Sequence, residues 1–143
     1  MDFSPATEAV IGEAARLAKV LPAKVVVLAV IQPPMITSEY AALVDNTGEI
    51  LAAGEKNAAR RLAAIEDQLR QEGITVEAVQ AIGAPIQHIV RQAATADYVV
   101  MGSHGHTALY DLLVGSTTHG VLMRAKCPVV IVPAEAKVAK PPI

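Results

Sequence analysis

Apolar residues recur along the chain with two different spacings, and the two spacings alternate. Between residues 5 and 20 apolar positions return every three or four residues, which is typical of an amphipathic helix. Lys24–Ile31 is instead an almost unbroken β-branched run, as expected of a strand inside a parallel sheet. The other predicted elements are a helix over Glu49–Glu72, a strand over Ile74–Ile82, a short helix from Gly83-Ala84-Pro85, a strand over Tyr98–Met101, a helix over Ser116–Ala125 and a strand over Pro128–Val132.

Turn-forming residues mark several boundaries of these elements. Ser4-Pro5 predicts a helix start, with serine as the N-cap and proline at the first helical position. Gly73 stands where a glycine commonly ends a helix. Residues 35–48 show no clear period and are predicted as a loop. The polar alternation within Ile74–Ile82 indicates a strand at a sheet edge.

Strands that alternate with helices predict an α/β fold of three layers, with a parallel sheet and helices on both of its faces. The 143 residues fit one such domain. Hydrophobic residues make up 52% of the chain, but with one Phe and no Trp the core must be aliphatic. Residues 134–143 are rich in Ala, Lys and Pro and are predicted to form a disordered tail, which leaves a domain over residues 1–133.

Charge and hydropathy exclude several classes of protein. The net charge of −2 does not show the excess of positive charge that is typical of nucleic-acid-binding proteins. The longest uninterrupted apolar run, Val25–Ile31, is far too short to span a membrane, so we expect no membrane association. No signal-peptide pattern opens the sequence, and we therefore expect a cytoplasmic protein. Cys127 is the single cysteine, which excludes an internal disulfide and a cysteine-only metal site.

The chemistry of the chain is concentrated between residues 99 and 118. Here a short buried strand runs into Gly102 and Gly105, and after nine further residues Gly115 opens a new helix. Glycine allows a backbone to lie against a ligand, and a helix start offers unpaired N–H groups to an anion. Ligands of parallel α/β sheets bind at the carboxyl ends of the strands, which is where this turn lies. We expect a phosphate site whose hydroxyls come from Ser116, Thr117 and Thr118.

The pattern Gly-x-x-Gly, nine residues, Gly-Ser at Gly102, Gly105, Gly115 and Ser116 resembles the ATP-binding pattern of the universal stress protein family. The resemblance extends from Asp2-Phe3-Ser4 to Val132. It implies a flavodoxin-like (Rossmann-like) sheet of order 3-2-1-4-5, a homodimer formed through strand 128–132, and ATP, with or without Mg²⁺, as the ligand. The residues it implies for the site are Asp2 near the ribose, Val30 and Met101 near the adenine, and the glycines and Ser116, with Thr117 or Thr118, at the phosphates.

One departure from the family pattern concerns the first strand. The family begins with an apolar strand that ends in Val-Asp-x-Ser, whereas here Met1 takes the place of the valine. Either the start site is wrongly chosen, or the chain is short and strands 24–31 and 97–101 pair directly or leave a groove. Unpaired backbone groups are costly when buried. We therefore expect the short form to be less stable, to oligomerise, or to close its sheet in another way.

Other chemistry in the same stretch is disfavoured. His104 and His106 have no supporting cluster of ligands apart from Asp111, so we expect loop histidines and no metal. Ser103, His104 and Asp111 lack the Gly-x-Ser-x-Gly context of a hydrolase. No lysine follows the glycines, and no base is placed to align a water molecule. We expect a site that holds nucleotide more than it cleaves it, with no dedicated catalytic residues; slow ATP hydrolysis is left open.

Three functions follow from the sequence. The first is an ATP-binding universal stress protein that acts as a stress-response regulator or binding module, with no protein partner identified. The second is a dimerising interaction module of the same fold that no longer binds nucleotide. The third, a slow ATP hydrolase, is the weakest. Each residue of the expected site also has a purely structural interpretation. The glycines can form a turn with a helix cap, Asp2 can be a solvated carboxylate, and Val30 and Met101 can be core residues.

Overall fold

The computed structural model of the chain describes residues 1–35, 47–104 and 114–133. Helices and strands alternate within these ranges as the hydrophobic pattern predicts. Much of the predicted loop, the tail 134–143, Gly105, His106 and Asp111 lie outside the described residues. The elements are α1 Thr7–Val20, β1 Val25–Ile31, α2 Thr47–Gln71, β2 Val76–Ile82, α3 Pro85–Ala93, β3 Val99–Gly102, α4 Ser116–Leu122 and β4 Val129–Val132.

The two helix boundaries predicted from turn residues have different outcomes. α1 begins at Thr7, two residues later than expected, because the Ser4 carbonyl accepts the Thr7 N–H at 3.0 Å in a turn that precedes the helix. Gly73 does end α2 as predicted: its φ is 78°, and the Ile74 N–H reaches back to the Leu69 carbonyl at 3.0 Å. Positive φ favours glycine there, whereas a turn before a helix accepts many residues.

All described strand pairs are parallel, which confirms an α/β fold. β1 pairs with β2 from Val25↔Val76 to Ile31↔Ile82, and β3 pairs with β4 from Val99↔Val129 to Gly102↔Val132. These are two separate two-stranded sheets within the described residues, so direct pairing of strands 24–31 and 97–101 is not found. In the expected order 3-2-1-4-5, strands 3 and 2 lie on one side of the first strand, and strands 4 and 5 lie on the other side. The two observed pairs match these two groups, but the continuous order itself is not shown.

The core is aliphatic, as the composition predicts. Its largest cluster lies where α1 and α2 pack on β1 and β2, and Leu69 of α2 is fully buried there. A smaller group of buried residues, including Ala93, Val121 and Val132, belongs to α3, α4 and β4. Each sheet is therefore covered by helices, and the carboxyl end of β3 is positioned by this packing.

The amino terminus of the chain is bound to β1. The Met1 amino group donates a hydrogen bond to the Leu28 carbonyl, and the Met1 and Phe3 side chains pack against the core cluster. Burial lowers the pKa of this amino group below its usual value of 8.0, with Asp2 opposing the shift more weakly. The folded chain therefore disfavours the protonated amine.

The free energy of unfolding should consequently depend on pH through Met1. The unfolded chain binds more protons than the folded chain between the lowered pKa and 8.0, so stability rises with pH across that range and falls as pH is lowered. Denaturant unfolding between about pH 6 and pH 8.5 measures this slope. The matched control is the chain acetylated at Met1, which cannot titrate there. A stability difference between the two forms that stays constant with pH would contradict the assignment.

Candidate functional site

The first half of the candidate site is the turn that follows β3. The Ser103 N–H donates to the Val132 carbonyl at 2.8 Å, so the ladder with β4 continues one residue past the strand. At Gly102 an added Cβ would lie 3.2 Å from the His104 carbonyl oxygen and 3.5 Å from the Ala6 Cβ. The backbone therefore turns back on itself against the start of α1, where a glycine fits best.

The start of α4 contacts this turn directly. Gly115, the N-cap of α4, donates its N–H to the Ser103 carbonyl at 2.6 Å. A Cβ on Gly115 would lie 3.3 Å from that same oxygen and 3.5 Å from the His104 Cα. The two segments that the glycine spacing singled out are thus in contact. The Gly115 amide is used within the protein, and the first-turn N–H groups of Ser116 and Thr117 have no intrahelical partner.

Three hydroxyl residues open α4, and they lie in different environments. Thr118 is only 4% exposed, and its Oγ1 donates to the Gly102 carbonyl at 2.8 Å. Ser116 is exposed and Thr117 is half-buried. Thr118 therefore fastens the helix to the end of β3, while Ser116 and Thr117 lie on the more accessible side.

We expect Thr118→Val to loosen this attachment. The change keeps the shape of the side chain but leaves the half-buried Gly102 carbonyl without this donor, and we expect a loss of about 1 kcal/mol of stability. Urea unfolding measures the loss, and Thr118→Ser, which retains the hydroxyl, is the control for the missing hydrogen bond. Equal stability of the valine variant and the unmodified chain would show that the hydrogen bond contributes nothing.

Ser103 and His104 are polar neighbours that the glycine pattern alone did not select as ligands. Ser103 is buried, and its Oγ lies 3.2 Å from the His104 Nδ1. The His104 ring also approaches Gly115, with its Cδ2 3.8 Å from the position of an added Cβ. Both residues therefore help to shape the contact between the turn and α4. Their position inside the Gly-x-x-Gly segment was the available signal.

The residues expected at the nucleoside end lie in three different places. Asp2 is exposed, and its Oδ1 accepts the Ser4 N–H at 3.0 Å, so the carboxylate bends back onto its own chain. Between them Phe3 has a φ of 57°, which makes the turn sharp. Val30 and Met101 are half-buried near the carboxyl ends of β1 and β3. Because β1 and β3 are not paired, these two residues are not adjacent positions of one described sheet.

Two further observations concern the described part of the chain as a whole. No group of three or more His, Cys, Asp or Glu side chains in residues 1–35, 47–104 and 114–133 is arranged to hold a metal ion. None of the helices in those ranges is both long and apolar enough to cross a bilayer.

Residues 1–133 match the model of the universal stress protein family, and the chain belongs to this family. It is 33% identical over 79 residues to universal stress protein MJ0577 of Methanocaldococcus jannaschii, an alignment that covers 54% of this chain and 49% of that protein. It is 35% identical over 77 residues to universal stress protein Rv2005c of Mycobacterium tuberculosis, covering 54% of this chain and 25% of the relative. The alignments thus span half or less of these two relatives.

Solved structures of universal stress proteins share the α/β fold over nearly the whole chain. The MJ0577 structure superposes with a TM-score of 0.79 at 26% identity, covering 96% of this chain and 94% of its own. UspA from Lactobacillus plantarum gives 0.81 at 24% identity, with 92% of both chains covered. A universal stress protein in complex with cAMP gives 0.66 at 27% identity, also with 92% of both covered.

Proposed function

We propose that this chain is a nucleotide-dependent regulator or binding module of the stress response that binds an adenine nucleotide, with ATP as the leading candidate. The observation that carries the proposal is the hydrogen bond from Gly115 N–H to the Ser103 carbonyl at 2.6 Å. It holds together two glycine segments that are well separated in sequence, next to the end of a parallel strand. Support also comes from the relative whose structure contains cAMP.

In the proposed site the phosphates lie between the β3 turn and the start of α4. Gly102, Gly105 and Gly115 let phosphate oxygens approach the main chain closely. Ser116 and Thr117 offer both hydroxyls and first-turn N–H groups, which favour negative charge. Thr118 is the positioning residue, because its hydroxyl is bonded to Gly102.

The nucleoside is proposed to lie toward the β1 side. Val30 and Met101 supply apolar contacts for the adenine ring, and Asp2 accepts hydrogen bonds from ribose hydroxyls. Reaching a ribose requires the Asp2 carboxylate to share or release the Ser4 N–H. Mg²⁺, where present, is brought with the phosphates. The proposed role is nucleotide binding, with slow hydrolysis at most.

The proposed assembly is a cytoplasmic homodimer joined through strand 128–132. Val99 N–H bonds to the Pro128 carbonyl and Ser103 N–H bonds to the Val132 carbonyl. Main-chain groups alternate in direction along a strand, so those of Val129 and Ile131 point away from β3. This outer edge can pair with its copy. Sedimentation equilibrium that gives a monomer at all concentrations would contradict the dimer.

Calorimetric titration with ATP, ADP, AMP and cAMP tests the proposed ligand, with GTP as the control for the base. We expect saturable binding of the adenine nucleotides and weaker binding of GTP. Phosphate release from ATP should stay close to that of a buffer control. A folded protein that binds none of these nucleotides would favour the second candidate, a dimerising interaction module of the same fold.

A further inference from the structure

Helices α3 and α4 pack against each other at one close contact. A Cβ added to Gly120 of α4 would lie 2.4 Å from the Ile86 Cδ1, so a larger residue at this position would have to displace the isoleucine of α3. Next to this contact the surface has an open groove of about 550 Å³. We call it the α3–α4 groove, and it is lined by Ala84, Ile86, Gln87, Val90, Arg91 and Arg124.

The apolar side of the α3–α4 groove is only partly covered. Ile86 and Val90 are one turn apart on α3, and both remain half-buried. Met123 follows Gly120 of α4 by three positions, which places it on the same side of that helix, and it is 71% exposed. Clustered apolar side chains at a surface, unlike scattered ones, mark interaction sites, and methionine and arginine are enriched there.

The charge around these apolar residues has one sign. Residues 84–96 and 115–127 contain arginine and lysine but no Asp or Glu, although the net charge of the chain is −2. The next acid along the chain, Asp97, lies beyond the end of α3. The four ion pairs found among the described residues all lie outside α3 and α4. The groove therefore carries positive charge that the two helices do not neutralise.

Arg124 is held against the groove by its own helix. Its Nη1 donates to the Gly120 carbonyl at 3.1 Å, one turn back along α4. Because Gly120 is where Ile86 packs, this bond places the guanidinium beside the apolar side of the groove. Its remaining N–H groups have no partner among the described residues and can donate to a carboxylate. Arg91 supplies a second guanidinium from α3.

We propose that the α3–α4 groove binds a short amphipathic helix of a partner protein, in which Asp or Glu flanks large apolar residues. The walls of the groove are helices whose main-chain groups are bonded internally, so an extended segment would find no main-chain partner there. A helix satisfies its own main-chain groups and presents apolar residues three and four apart, to match Ile86 and Val90. Its carboxylates meet Arg91 and Arg124, where α3 and α4 offer no competing acid.

Fluorescence anisotropy with labelled helical peptides tests the proposal. In all of them leucine recurs every three or four positions in an alanine background, and the flanking residues are glutamate in the first peptide and lysine in the second. A third peptide keeps the glutamates but has alanine for every leucine. We expect saturable binding of the first peptide and binding of the other two that is weaker by about tenfold or more. No binding of the first peptide, or equal affinity for the first two, would overturn the proposal.

Three charge reversals locate the bound peptide. Arg91→Glu and Arg124→Glu should each weaken binding of the glutamate peptide by about tenfold. Arg60→Glu makes the same change of charge at an exposed position of α2 and should keep the full affinity. Circular dichroism checks that each variant is folded. An equal loss in all three variants would show attraction between net charges and would overturn the proposal.

Two further controls separate this site from other anionic ligands. Gly115→Asp should bind the glutamate peptide as the unmodified chain does, so the nucleotide proposal and this one fail separately. Inorganic phosphate should displace no more peptide than sodium chloride of the same ionic strength. Sedimentation of the protein with phosphatidylglycerol vesicles, abolished by Arg124→Glu, would overturn the proposal in favour of a membrane surface.

Discussion

Gly115→Asp is expected to reduce the affinity for ATP by about a hundredfold, or about 2.7 kcal/mol. The new carboxylate would stand at the N-cap of α4, where the proposed phosphates lie, and repel them. Its Cβ would also lie 3.3 Å from the Ser103 carbonyl and push the two glycine segments apart. Calorimetric titration of the folded variant measures the loss.

Gly12→Asp is the matched control for this variant. It introduces the same side chain on α1, where an added Cβ has no heavy atom within 4 Å, and should keep the full affinity. The ATP affinity of Ser116→Ala should lie between the two, with a loss of about 1.5 kcal/mol, the lower end of what one hydrogen bond to a charged group contributes. Equal ATP affinity of Gly115→Asp and Gly12→Asp would show that the phosphates do not bind at the start of α4.

Leu69→Ala should produce a large loss of stability, since Leu69 is one of the two largest fully buried side chains in the described part of the chain. Leu69 is 0% exposed in the core cluster, and its removal leaves a cavity between α2 and the β1–β2 sheet. Substitutions of this kind cost about 2–5 kcal/mol. Urea unfolding followed by circular dichroism measures the change in the free energy of unfolding.

Leu21→Ala is the control for Leu69→Ala, because the same atoms are removed from a side chain that is 47% exposed. We expect it to cost less than about 1 kcal/mol. A loss of the same size in both variants would mean that the α2 core is not packed as described. If Leu69→Ala also changes the dependence of the unfolding free energy on urea concentration, the substitution alters the compactness of the unfolded state as well.

The order of elements was predictable because each element has its own hydrophobic period. The spacing of apolar residues every three or four positions in α2 and the β-branched run of β1 can be read from the local sequence. The same holds for the glycine at position 73, where φ is positive. The start of α1 was not predictable to the residue, since Ser4 can cap a helix or form the turn before it. The choice depends on packing around Ala6, which the local sequence does not contain.

The division into two strand pairs shows the same limit. β-branched character indicates that β1 and β3 are strands, but not which strand lies beside each of them. Resemblance to a family supplied an order for one continuous sheet. The described hydrogen bonds show two separate strand pairs, and Met1 is bonded to the Leu28 carbonyl of β1.

The sequence singled out the two glycine segments of the candidate site, but not the contacts that their residues make. Spacing alone singled out Gly102 and Gly115, which the structure brings together through Ser103. Spacing could not distinguish the hydroxyls at the start of α4, because their directions depend on how the helix docks. Docking turns Thr118 inward to Gly102 and leaves Ser116 exposed.

The most direct test of nucleotide binding at this place is a two-dimensional NMR titration of the amide groups with ATP. The account predicts saturable shifts that share one dissociation constant at Gly102, Ser103 and His104 and at Gly115, Ser116 and Thr117. The amide signals of residues at the opposite end of the sheets, such as Val25 and Val76, should not shift. Shifts confined to residues outside the two glycine segments, or none at saturating ATP, would contradict it.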